Sequence, residues 1–427
     1  MPMNYKATIM IGLGFFTMGL MDPLYDTYVP VFINGFVASR GLIGSLMTID
    51  NIMALILIPL VTAWSDKTRT SIGRRIPFVV VLLPLSAVGF ALLPYAGTSS
   101  LLIFVLALVG FNLFKQSARG PVVALMPDTV PNEYRSEANG VINMMGGIAA
   151  VVGTVVLAPM MDLNLKLPIL GDTSRKLPFL ISAGLIVAAA ILLRLTVRER
   201  PLPASPSTRT RVSTSLRSIF SQEDKSAVVI LASLFLWFSA YWGIRPFITL
   251  YVIEYLGLSE GIAGLSTGMV AISYLLFAVP SGVIAHRIGR RRTIRISLAG
   301  MAVLALAMFV HEPVMVRMGA SQNLAVGSFW GLLFLFGMCW GAANTNSFPM
   351  LWRKANLDNV GAYTGVYYVF SQAAAIVTPP LTGLILDYTE FRAMFLFTAT
   401  LMVLSFLVIG RVRGGETDRA GVAAKGL

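Results

Sequence analysis

Apolar runs of about twenty residues recur along this chain, each long enough to cross the hydrocarbon core of a bilayer as a helix. Twelve are read, at roughly 7–34, 41–64, 78–97, 101–127, 138–160, 178–197, 227–256, 261–285, 294–312, 323–350, 361–386 and 390–411. A membrane β-barrel would show short alternating segments instead. Pro23, Pro30, Pro59, Pro246, Pro280, Pro379 and Pro380 fall inside the runs, which suits kinked spans packed against neighbours. The first run begins after Lys6 and is too long for the apolar stretch of a secretory signal, so it is read as the first span. An all-α membrane protein of twelve transmembrane helices is expected.

Composition narrows the function. Only 12% of the 427 residues are charged and 56% are hydrophobic, against about 25% charged in soluble domains. An ordinary soluble enzyme and a disordered chain are both excluded. The net charge of +13 does not point to nucleic acid, because it sorts by side. Placing the N-terminus inside puts 24 of the 33 Lys and Arg on cytoplasmic segments, 6 on outer loops and 3 within spans. That bias predicts a cell-membrane protein with both termini cytoplasmic. One Cys, Cys339, and two His leave no basis for a disulfide, a Cys cluster or a His metal site. No nucleotide-binding loop is present, so no cofactor or metal is expected.

The polar stretch 198–225, beginning RERPLPASPSTRTR, reads as a cytoplasmic linker. It separates six-span halves at 1–197 and 226–411, with a tail at 412–427. The halves repeat weakly. Asp22-Pro23 with Tyr28-Val29 matches Arg245-Pro246 with Tyr251-Val252 at an offset of 223. Pro59 matches Pro280 at 221, Gly73-Arg74-Arg75 matches Gly289-Arg290-Arg291 at 216, and Gly140-Val141 matches Gly365-Val366 at 225. Repeats of this size are a mark of alternating-access transporters.

The loop Trp64-Ser65-Asp66-Lys67-Thr68-Arg69-Thr70-Ser71-Ile72-Gly73-Arg74-Arg75 resembles the signature loop of the major facilitator superfamily. Its second copy ends His286-Arg287-Ile288-Gly289-Arg290-Arg291. The longer spacing between Asp66 and Gly73, with Arg119-Gly120-Pro121, Ala124-Leu125 and Asp128 following span four, resembles the glycoside–pentoside–hexuronide:cation and sucrose/proton symporters. The resemblance implies two pseudo-symmetric six-helix bundles, with spans one, four, seven and ten around a central cavity. It also implies a cytoplasmic gate built from Asp66, Arg69, Gly73, Arg74, Arg75, Arg135, Arg287, Gly289, Arg290 and Arg291; the plainer reading is that these charges only set topology. Sodium-using members carry two acids on span two, where this chain has Ala54 and Ile58. The co-transported ion is therefore expected to be a proton rather than sodium.

Six ionisable residues fall within spans: Asp22, Asp26, Asp50, Lys115, Arg119 and Arg245. Each is costly there, and together they cancel, which predicts a pairing network. Asp22 and Asp26 share a helix face, as do Lys115 and Arg119. Asn112 and Gln116 extend the second face, and Asn344 and Asn346 add amides on span ten. Trp242, three residues before Arg245, is a candidate sugar platform. Asp50, beside Asn51, is read as either a coupling or a structural group.

These residues point to a secondary transporter that moves a small polar solute, a sugar or glycoside, with protons. Two alternatives stay open: a proton-driven exporter of drugs or amphipathic solutes, and a non-transporting membrane sensor. The expected partners are the solute and membrane lipids, with no nucleic acid and no obligate protein partner.

Overall fold

A bilayer core offers the backbone no water, so a spanning chain satisfies its amides within helices. The structure, a computed structural model, describes residues 5–167, 171–199, 224–352 and 360–412. Most of the 198–225 linker and of the 412–427 tail lies outside these residues.

Among them are 11 helices long and apolar enough to cross a membrane, and one shorter apolar helix. They are α1 (Tyr5–Asn34), α2 (Arg40–Lys67), α3 (Ile76–Ala96), α4 (Leu101–Thr129), α5 (Arg135–Val151) and α6 (Leu177–Thr196). The second set comprises α7 (Ser226–Leu250), α8 (Glu260–Ile288), α9 (Arg290–Arg317), α10 (Gln322–Trp352), α11 (Val360–Asp387) and α12 (Ala393–Ile409). The protein is thus an all-α integral membrane protein, as the apolar runs predict.

The seven prolines expected inside spans all lie inside helices. Departures from regular helix are local. Helix α2 is interrupted at Thr48. Helix α5 runs into a π-helical turn, Val152–Leu157, and then a 3₁₀ turn, Ala158–Asp162. Helix α7 ends in a π-helical turn, Tyr251–Tyr255. A short hairpin pairs β1 (Lys166–Leu167) with β2 (Gly171–Asp172) in the loop before α6.

The chain forms two compact units. The first comprises Met1–Pro206, Arg245–Ala271 and Pro379–Phe391; the second comprises Ser207–Ile244, Ile272–Thr378 and Arg392–Leu427. Within the first, α1 packs chiefly on α5, and α3 on α4 and α6. Within the second, α9 packs on α10 and α12. The latter relation repeats that of α3, six helices later.

Candidate functional site

Helix α1 carries two carboxylates one turn apart, and each meets a cation from a different helix. Lys115 Nζ on α4 lies 2.6 Å from Asp22 Oδ1, and Arg119 Nη1 lies 3.7 Å from Asp22 Oδ2. Arg245 Nη2 on α7 lies 2.6 Å from Asp26 Oδ2. All five groups belong to the first compact unit. The Lys115 ammonium also sits 4.7 Å from the centre of the Tyr25 ring, an attraction that strengthens where water is excluded. Its side chain is only 3% exposed, whereas that of Arg119 is 42% exposed.

Five of the six charges are thus ion-paired. Asp50 makes no ion pair among the described residues and instead accepts a hydrogen bond from Asn51 Nδ2 at 2.8 Å. It lies in the first turn after the break in α2, where a helix N-terminus favours negative charge.

The amide stripe on α4 is brought to the same place. Asn112 Nδ2 donates to Tyr25 Oη at 3.2 Å and to the Leu108 carbonyl at 3.0 Å. Asn112 Oδ1 and Gln116 Oε1 are buried without a hydrogen-bond partner. A buried acceptor left unmet costs about 1–3 kcal/mol, so these oxygens favour a guest that carries donors.

The amides on α10 are not brought together. Asn344 Nδ2 donates to Tyr274 Oη at 3.2 Å, while Tyr367 Oη, bonded to Ser347 Oγ at 2.8 Å, lies 3.5 Å from Asn344 Oδ1. Asn346, two residues on, faces elsewhere and donates to the carbonyls of Ala342 and Ser281. It ties α10 to α8, since a spacing of two turns a residue to another face of a helix. Trp242 packs edge-on against Tyr241. The flat stack in this region is Tyr241 on Trp340, with ring centres 3.8 Å apart and planes 3° from parallel.

The loop between α2 and α3 closes a denser cluster. Arg74 grips Asp128 at the end of α4 with Nε at 3.0 Å and Nη2 at 2.6 Å. Arg75 Nε reaches the same carboxylate at 2.9 Å, and the Arg75 guanidinium also pairs with Asp66 and donates to Ser65 Oγ. The Asp128 carboxylate holds the Arg74 guanidinium above its ordinary pKa, so this group stays charged.

Glu199, which carried no expectation, is part of this cluster. Its carboxylate accepts the backbone N–H groups of Arg74 at 2.5 Å and of Arg75 and Ile76 at 2.6 Å. That is anion capture at the N-terminus of α3. Gly73 makes it possible, with φ +116° and no Cβ, since a Cβ would lie 2.6 Å from the Glu199 carboxyl carbon. Gly73→Ala is expected to lower stability by about 1–3 kcal/mol, read as a lower midpoint of thermal unfolding in detergent. An unchanged midpoint would contradict this loop geometry.

Four further gate candidates, Arg69, Arg135, Arg290 and Arg291, donate to carbonyls. Arg69 donates to the Asp66 and Thr68 carbonyls, and Arg135 to those of Pro127 and Val130. In the second copy of the loop, Gly289 has φ +94°. Arg290 donates to the Pro349 carbonyl in the last turn of α10, and Arg291 to that of Gly410 after α12. Helix C-termini favour such cations. Arg287 is exposed and makes no ion pair among the described residues. The first copy thus binds carboxylates, and the second reaches helix ends.

At the opposite end of the helices, one contact is made twice. Asp387, ending α11, accepts from Ser39 Oγ at 2.8 Å and from the N–H groups of Arg40 at 2.5 Å and Gly41 at 3.0 Å, where α2 begins. Asp162, following α5, accepts from Ser259 Oγ at 2.7 Å and from Gly261 N–H at 3.1 Å, where α8 begins. Asp162 and Asp387 are 225 positions apart, and Ser39 and Ser259 are 220 apart. Both contacts lie within the first compact unit.

A sequence profile described as the Major Facilitator Superfamily matches residues 11–260 and 241–425. The chain is 24% identical over 420 residues to the multidrug resistance protein MdtG of Rahnella sp. (strain Y9602), covering 94% of this chain and 92% of the relative. A bacterial homologue of the human lysosomal transporter Spinster, solved inward-facing, superposes with a TM-score of 0.74 at 13% identity, covering 96% of this chain and 97% of its own. A D-xylose–proton symporter superposes at 0.67 and 19% identity, covering 96% and 98%. At these identities the solved structures speak for the fold. With the profile spanning nearly its whole length, the chain belongs to the Major Facilitator Superfamily and is a membrane transporter, not an enzyme.

Proposed function

We propose that the protein moves a small polar solute, a sugar or glycoside, together with protons by alternating access. The observation that carries this reading is the set of ion pairs on α1. Asp22 and Asp26 are each held by a cation from another helix, beside two buried amide oxygens without partners. A carboxylate that gives up its cation at one stage of a cycle binds a proton more readily at that stage. Meanwhile a polyhydroxylated guest brings donors to Asn112 and Gln116. The resemblance of the loop Asp66–Arg75 to those of glycoside and sucrose symporters supports the same solute class. The basic loops between even- and odd-numbered spans support a cytoplasmic position for that end of the helices.

A second reading has its own support. The relative named for multidrug resistance matches along most of this chain, and Phe238, Tyr241, Trp340, Phe348 and Tyr367 form an aromatic cluster suited to amphipathic compounds. Purified protein in liposomes with an imposed proton gradient separates the two. Accumulation of a labelled sugar that collapses with a protonophore is the expected result. Gradient-driven movement of a lipophilic dye, with no sugar moved, would favour the exporter.

A further inference from the structure

A cavity of about 500 Å³ opens beside the gate loop, outside the ion-pair site on α1. Its lining includes Arg69, Gly73, Arg74, Arg194, Arg198 and Glu199. That is four guanidiniums against one carboxylate, and the carboxylate is already engaged by three backbone N–H groups. Arg74 is committed to Asp128, and Arg69 to carbonyls of its own loop. Arg194 and Arg198 are exposed and make no ion pair among the described residues. The volume falls in the range of small-ligand sites, roughly 300–1,000 Å³.

We propose that this cavity binds the phosphodiester headgroup of an anionic phospholipid. Guanidiniums are suited to phosphate because their planar fork donates to two oxygens at once. The apolar side of the site selects lipid over a soluble anion. Ile191, Leu192 and Leu195 on the same stretch of α6 are exposed, Leu195 by 72%. In a membrane protein such side chains face acyl chains. A phosphate in the cavity with its acyl chains along these residues satisfies both chemistries in one molecule. Basic pockets at the ends of membrane helices take phospholipid headgroups for this reason. Because Gly73, Arg74 and Glu199 also shape the gate loop, the headgroup would rest against the loop that joins α2 to α3.

The test is native mass spectrometry of the intact protein in neutral detergent, titrated with phosphatidylglycerol and, separately, with phosphatidylcholine. Phosphatidylglycerol is expected to bind in preference. The double substitution Arg194→Gln and Arg198→Gln is expected to weaken its retention roughly thirtyfold. Arg317→Gln, at the other end of the helices, is expected to leave it unchanged. Should the double variant fail to purify folded, Arg198→Gln alone is expected to give a smaller loss in the same direction. Equal binding of the two lipids, or full retention by the arginine variants, overturns the proposal. Complete displacement of phosphatidylglycerol by millimolar inorganic phosphate overturns it as well, since the site would then be one for a soluble anion.

Discussion

Asp22→Asn is expected to abolish uphill accumulation of solute while leaving downhill exchange measurable. The substitution removes the carboxylate from Lys115, whose ammonium lies 2.6 Å away on a side chain only 3% exposed. Breaking a buried pair by removing one partner costs about 3–5 kcal/mol. Asp22 itself is 30% exposed, so the lower end applies, which is roughly 100-fold in an equilibrium constant. On the proposed coupling scheme the variant also lacks the proton-exchanging carboxylate, so its residual exchange is expected to be flat with pH. The measurement compares proton-driven uptake with counterflow in the same liposomes. Uphill uptake at the unsubstituted rate and pH dependence would remove Asp22 from the coupling scheme. Asp26→Asn makes a useful companion, because it removes a carboxylate from Arg245 rather than from Lys115.

The second large effect is expected at the loop between α2 and α3, and it is structural. Asp128 receives both Arg74 and Arg75, and its own side chain is 10% exposed. Asp128→Ala is expected to destabilise the protein by about 3 kcal/mol, the lower end for a broken buried pair because Arg75 retains Asp66. Asp66→Ala is expected to cost under about 1 kcal/mol, since the Asp66 side chain is 46% exposed. Thermal unfolding in detergent reads the difference. Equal losses at the two positions would mean that the loop is held by its exposed pair.

The spans were legible because hydrocarbon enforces helix and apolar length together. The apolar run at 7–34 is helix Tyr5–Asn34, and the run at 390–411 contains helix Ala393–Ile409. The spacing of four also showed which charges share a face. It could not show partners. Asp22 and Arg245 occupy equivalent places in the repeat, yet Arg245 pairs with Asp26. A face is a local property of one helix, whereas a partner depends on how other helices cross it. Glu199 went unread because it binds backbone amides, which carry no residue signature. The parallel stack of Tyr241 on Trp340 was not legible either, because it joins α7 to α10. Asp162 and Asp387 were readable in principle, for their offset of 225 equals that of Gly140 and Gly365. A lone acid in a loop gives no hint of the helix start it caps.

Those two caps carry a consequence for how the site on α1 came to be possible. Exchanged contacts, in which the end of α5 meets the start of α8 and the end of α11 meets the start of α2, have the form of an isologous interface, the kind that joins two identical subunits about a two-fold axis. Two identical six-span subunits would carry the same residue at each equivalent position, so an acid on the first helix of one would face an acid on the first helix of the other. A single chain is free of that constraint. It keeps the matched caps at one end and places Asp22 on α1 but Arg245 on α7. Covalent joining thus permits a break in symmetry within the membrane, and the pair of Asp26 with Arg245 depends on it.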